Sequence, residues 1–358
     1  MKPTLLFALL WCVISQPLLA GQENSWLTFS GRTEASNDGL NGAIGVAASR
    51  LLGQDDAIGF DYRDSHSNRN GTDSRAATFR YRLPAGIYRV QVEAGRSSYD
   101  HAVRDGGHRY NASHQSRVLG LQASRPLFSR FGMSFDGMAR HRGVNSESFK
   151  QQNPVSESRY QLSSFGLEAR GGRKIGTGTL INTRILALSG REFQSTEYPL
   201  HRGSVNETGF YKVTVTASAE QEFFDWNWRA NGRYQFADDD LPSSEFLAVA
   251  GPSMLAGFNG QSLSVLRGGW MRLATASPSW PMPFLDGVLS SLNLAVLQGW
   301  MPYQAGRCGK ASAGQVSLRM QGRAFTADLS VGRMISVSNT PLTMPDHPDV
   351  RFSLSMGI

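Results

Sequence analysis

The residues that could do chemistry are sparse and badly placed for it. Ser98, Asp100 and His101 supply the types of a nucleophile, an orienting acid and a base. They are near neighbours on one extended segment, and such neighbours do not converge on a reacting atom without a special turn. Asp238, Asp239 and Asp240 offer carboxylate oxygens of the kind calcium takes, but they also fit a solvated cluster at a strand end. The glycine-rich run Lys174 to Gly178 lacks the following helix of a phosphate loop and reads as a turn. Asn111-Ala112-Ser113 matches a glycosylation sequon but falls in a polar, loop-like stretch. Cys12 and Cys308 are the only cysteines, and Cys12 lies in the first twenty residues. A single remaining thiol leaves neither an internal disulfide nor a cysteine-built metal site. The expectation is no enzyme, no catalytic residues, no cofactor and no metal.

The informative charges belong to a different pattern. From Phe224 to Phe236 the chain alternates strictly. Phe224, Trp226, Trp228, Tyr234 and Phe236 share one face. Asp225, Arg229 and Arg233 share the other. Successive strand side chains point to opposite sides. One face is therefore aromatic and the other charged, as in a strand crossing a bilayer with lipid outside and a wet lumen inside. Asp225, Arg229 and Arg233 are predicted to face that lumen. The tryptophans, Trp270 and Trp300 included, fit lipid-facing or interfacial places.

The pattern recurs along the chain, first near 26–33, 43–52 and 57–64. RYRLPAGIYRVQVEAGRSSY, from Arg80, reads as strand, tight Pro-Ala-Gly turn and returning strand. Similar segments follow near 112–124, 130–142, 159–172, 176–190 and 209–221. After 224–236 comes a long non-alternating stretch near 237–261. Five more strands lie near 262–275, 288–300, 312–322, 324–337 and 349–358. The total is about sixteen, an even number as bacterial barrels require. The predicted fold is all-β, a transmembrane antiparallel β-barrel, closed on itself and therefore monomeric.

The start, MKPTLLFALLWCVISQPLLA, has a basic residue, an apolar core and a small residue at Ala20. It reads as a cleaved signal peptide over 1–20, too short to span a membrane. The barrel then occupies 21–358. Mean hydropathy is −0.30, which does not exclude a membrane barrel, because lipid-facing and lumen-facing residues cancel. The formal charge is +7. Its arginines are spread over alternating positions rather than clustered, which argues against nucleic acid and for a cationic lumen or contacts to anionic lipid head groups. The predicted location is the outer membrane of a Gram-negative-type bacterium.

Two stretches carry a resemblance. The hairpin from Arg80 to Tyr99 and the segment LPSSEFLAVAGPSMLAGF at 241–258 are similar to parts of the haemolysin secretion/activation family, the outer-membrane transporters of two-partner secretion. The resemblance covers the barrel. The polypeptide-transport-associated domains that precede it in the family have no counterpart between Gly21 and Trp26. It implies that the long segment is the sixth outer loop, folded into the lumen. In the family the loop-tip motif carries an arginine that pairs with an aspartate of a strand motif. Here Leu255, Ala256, Gly257 and Phe258 stand at the tip, with Ala256 at the arginine position. Leu297 and Gly299 stand in the strand motif, with Leu297 at the aspartate position. Losing both charges together avoids a buried unpaired ion. The loop is then either held by apolar contact or no longer held inside. Ile358 replaces the aromatic residue that usually ends such barrels.

The function the resemblance implies is passage of a secreted polypeptide partner across the outer membrane without ATP. The alternative is a non-translocating barrel, either a passive pore or a surface scaffold.

Overall fold

The computed structural model describes residues 26–36, 39–51, 55–67, 72–105, 108–150, 153–176, 178–198, 201–283, 285–302 and 308–357. The expected signal peptide and Ile358 lie outside them. The first strands are β1 (Leu27–Ser36), β2 (Gly39–Ser49), β3 (Ala57–Ser67) and β4 (Thr72–Ala85). Six long strands follow: β5 (Tyr88–Asp105), β6 (His108–Arg130), β7 (Met133–Lys150), β8 (Asn153–Ile175), β9 (Thr179–Tyr198) and β10 (His201–Phe223). Then come β11 (Trp226–Ala237), a short hairpin of β12 (Leu247–Ala250) and β13 (Leu263–Val265), and β14 (Gly268–Ala276) with β15 (Trp280–Pro281). The chain ends with β16 (Leu289–Met301), β17 (Gly309–Gln321), β18 (Phe325–Ser338) and β19 (Asp349–Gly357).

Each wall strand pairs antiparallel with its sequence neighbours, and β1 pairs with both β2 and β19, closing the sheet. Both β14 and β15 pair with β16, so they are two pieces of one wall strand. The wall is a sixteen-stranded antiparallel barrel, and the β12–β13 hairpin forms a separate sheet. Closure leaves no sheet edge, so the wall's ladder needs no water to complete it.

Alternation sorts the side chains as the sequence predicts. Leu119 and Phe165 are 64% and 67% exposed on the outer face, a face suited to lipid. Strands β5 to β10 run 18–23 residues, well beyond the roughly 9–11 needed to cross a bilayer. They rise as a tall wall at one end of the barrel, where both faces turn polar. The other end has tight turns. Phe131-Gly132 and Phe224-Asp225 each have two successive positive φ values, the I′ geometry that matches strand twist. Phe224 and Asp225 therefore form a turn and β11 begins at Trp226, two residues later than the alternation indicates. Asp225 is placed at the turn rather than along the lumen wall.

Candidate functional site

The segment between β11 and β14, residues 238–267, turns inward. Its composition explains this. Leu247, Val249, Leu255, Phe258, Leu263 and Val265 are apolar without the alternation of a wall strand, and all are buried. They bury their surface against the inner face of β16 to β18, meeting Leu297, Ala311, Ala313 and Met334. Burying a side chain of leucine or phenylalanine size is worth about 1.5–3 kcal/mol, so several together hold a segment that begins and ends at one rim.

The wall admits this segment because it is lined there with small residues. A Cβ at Gly299 would overlap the Val249 carbonyl, and one at Gly332 would overlap the Ala256 carbonyl. Gly257 has φ +112, and a Cβ there would strike the backbone of Arg333. The contact at the tip is therefore backbone against backbone, in the middle of β18.

Polar atoms fix the register of the tip. The carboxylate of Asp349, at the start of β19, accepts from the backbone N–H of Gly257 at 2.8 Å and of Asn259 at 2.7 Å. Gln315 accepts from the Ala256 N–H at 2.8 Å. Arg351 donates to the Pro252 carbonyl at 2.7 Å. Just past the tip, Gln261 exchanges amide hydrogen bonds with the backbone of Thr343 at 2.9 Å in each direction. These bonds satisfy backbone groups that apolar burial would otherwise strand.

The other side of the segment is held by charge. Glu245, in the 3₁₀ turn Ser243–Glu245, pairs with Arg140 of β7 and, at 2.7 Å, with Lys212 of β10. Gln235 of β11 donates to the carbonyls of Glu245 and Leu266 at 3.2 and 3.0 Å, holding the two legs of the segment together. Between this side and the wall lies a cavity of about 460 Å³, lined by Arg140, Arg142, Arg184, Lys212 and Arg233 among others. Arg184 is held by Glu168 at 2.7 Å, and the other four cations against Glu245 still make it a wet, positive space.

The structure brings most of the sequence-identified residues together. Leu255, Ala256, Phe258 and Leu297 are each at most 1% exposed. Leu255, Phe258 and Leu297 belong to one apolar cluster. At the two positions where the resemblance leads one to look for an ion pair, Leu297 lies in that apolar cluster and Ala256 is buried with its carbonyl against Gly332. Arg233 lines the cavity, and Arg229 lies nearer the tight-turn end, bonded to Glu220 at 2.8 Å. Trp270 departs from expectation. It pairs with Arg233 across β11–β14 and packs against the loop cluster, so it faces the lumen. The inserted segment also ends later than expected, at 267. Residues 263–265 belong to its hairpin and β14 starts only at Gly268. The aspartate cluster is engaged by protein: Asp238 accepts from the Tyr211 N–H and Asp239 pairs with Arg267.

Sequence reasoning missed Asp349, Gln315 and the Arg140–Glu245–Lys212 set. Glu245 stood inside a quoted motif and could have been found there. Asp349 acts across 92 residues of chain, and no local pattern signals that.

Known proteins share this architecture. The structure of CdiB from Escherichia coli superposes with a TM-score of 0.72 at 17% identity, over 94% of this chain and 64% of that one. That of CdiB from Acinetobacter baumannii gives 0.69 at 16%, over 94% and 61%. In sequence, the outer membrane transporter CdiB of Escherichia coli is 26% identical over 302 residues, 80% of this chain and 47% of its own length. The chain spans about half the length of the curated relatives it matches. The family model for the haemolysin secretion/activation protein ShlB/FhaC/HecB matches residues 27–314. On that match, this outer-membrane barrel belongs to the haemolysin secretion/activation family.

Proposed function

We propose that the barrel conducts an extended polypeptide partner across the outer membrane, without ATP, and that the segment 238–267 is its gate. The observation that carries this reading is the two-sided placement of the segment. One side is seated on a small-residue seam. The other faces a cationic cavity of about 460 Å³, along which an unfolded chain would remain hydrated. The contacts on both sides are non-covalent and separable. Membership of a secretion family and the likeness to outer membrane transporters support a polypeptide as cargo. In this reading residues 1–20 are a cleaved signal peptide. The tall wall of β5 to β10 faces the cell exterior, since such barrels keep short turns on the periplasmic side.

The test uses the refolded chain lacking Gly251 to Gly260 in a planar bilayer. An unfolded glycine- and serine-rich polypeptide is added on the tight-turn side. Transient current blockades whose duration grows with polypeptide length are expected. A steady conductance that small solutes share and the polypeptide never interrupts would leave a passive pore instead.

A further inference from the structure

On the outer face, β5 and β6 bring Arg96 and Arg117 directly opposite each other. Cβ atoms of such pairs lie about 4.5–5.5 Å apart, and like charges there repel. Outward orientation follows from alternation, because Arg117 shares its face with Leu119 and Leu121, which are exposed. Both arginines are exposed themselves. Elsewhere on the outer face of the tall wall, Arg159 has Glu157 and Arg191 has Glu207, each at 3.2 Å. Arg96 and Arg117 have none among the described residues. Arg96 only donates to the Gln115 amide at 3.1 Å. Asn145, opposite Arg117 on β7, continues the row with a neutral donor.

The position of the pair says what it meets. On β6, Leu119, Leu121 and Ala123 lie between Arg117 and Arg125 on the same face. On β5, Val90, Val92 and Ala94 lie between Tyr88 and Arg96. Each interval is eight residues, about 27 Å along a strand. At a tilt of about 40° that is roughly 21 Å of height, close to the apolar band of an outer-membrane barrel. Arg96 and Arg117 therefore stand at the upper edge of the lipid belt, at the level of the head groups next to the tall wall. Two adjacent guanidinium forks and an amide match the several oxygens of a phosphate, and Arg is the side chain suited to that bidentate geometry.

We propose that Arg96 and Arg117, with Asn145, form a binding site on the outer wall for the phosphate of an anionic outer-leaflet lipid. The bound phosphate offsets the repulsion between the two arginines and fixes the height of the barrel in the membrane. The orientation used here is that of the proposed function; the site itself does not depend on what the lumen carries.

The test titrates the refolded full chain in neutral detergent with diphosphoryl lipid A, followed by native mass spectrometry. The double variant R96Q/R117Q is expected to bind at least about ten-fold more weakly, and R125Q, at the lower edge, to bind like the parent. Enzymatically dephosphorylated lipid is expected to lose the same factor, and inorganic phosphate not to displace the lipid. Equal binding by parent and double variant, equal binding of dephosphorylated lipid, or displacement by inorganic phosphate would overturn the proposal. Thermal melting supplies a second readout. Without lipid the double variant should melt no lower than the parent, because repulsion is relieved. With lipid it should melt lower. A lower midpoint in both conditions would mark the arginines as structural and also overturn it.

Discussion

On the β16–β19 side the inserted segment meets alanine, glycine and leucine, with its tip anchored by Gln315 and Asp349, and on the β7–β10 side it meets arginine and lysine. The first contact is dry and short. Leu297, Ala311 and Ala313 are fully buried, and glycines bring backbone against backbone. The second runs through Glu245, whose cations Arg140 and Lys212 border a wet cavity. Dry packing tolerates no added volume and ignores salt. An ion pair beside water accepts substitution and weakens with salt. If the segment is the proposed gate, fixing it in both ways gives it a rigid side and a tunable side.

The dry contact is lost most completely by substitution at Gly332. A valine there must displace the Ala256 carbonyl, at a cost of about 3 kcal/mol because backbone rather than a side chain has to move. The expected result is a barrel that folds, judged by heat-modifiable gel migration, yet conducts steadily in a planar bilayer. Asp349→Ala comes next. The buried N–H of Gly257 and the part-buried N–H of Asn259 lose this acceptor, at about 1–3 kcal/mol for a buried group. Frequent brief openings are expected, with the closed state still dominant.

Glu245→Gln should do less, about 1–2 kcal/mol, because the glutamine amide oxygen still accepts from Arg140 and Lys212, which border the cavity. A modest rise in opening frequency is the expected readout. Salt gives the smallest effect and the finest distinction. Raising ionic strength from about 0.1 to about 1 M shortens the screening length from roughly 10 to 3 Å. Opening of the parent and of Asp349→Ala should rise slightly, and that of Glu245→Gln should not change.

The wall was legible in the sequence because each membrane-crossing strand carries a period of two, imposed by lipid on one side and water on the other. Sixteen segments could be located on that signal alone. Their ends could not. Above the lipid belt β5 to β10 are polar on both faces, and the alternation that marked them stops while the strands continue. At Phe224 and Asp225 the opposite happened: two residues in phase with the strand turn out to form the I′ turn before it.

The inserted segment was legible as a break in the pattern, and its tip residues were found from the resemblance. What holds it was not. Trp270 looks like an interfacial aromatic until the wall it faces is known to carry a second layer inside. Asp349 and Gln315 are ordinary polar residues at strand positions. They become anchors only because closure of the barrel brings β17 and β19 against a loop more than fifty residues earlier.

The most direct test of the account is the single-channel conductance of the intact chain against the chain lacking Gly251 to Gly260. The intact barrel is expected to be closed most of the time and the deletion to open a large, steady conductance. If the two conduct alike, the segment does not close the lumen, and the gate reading is wrong.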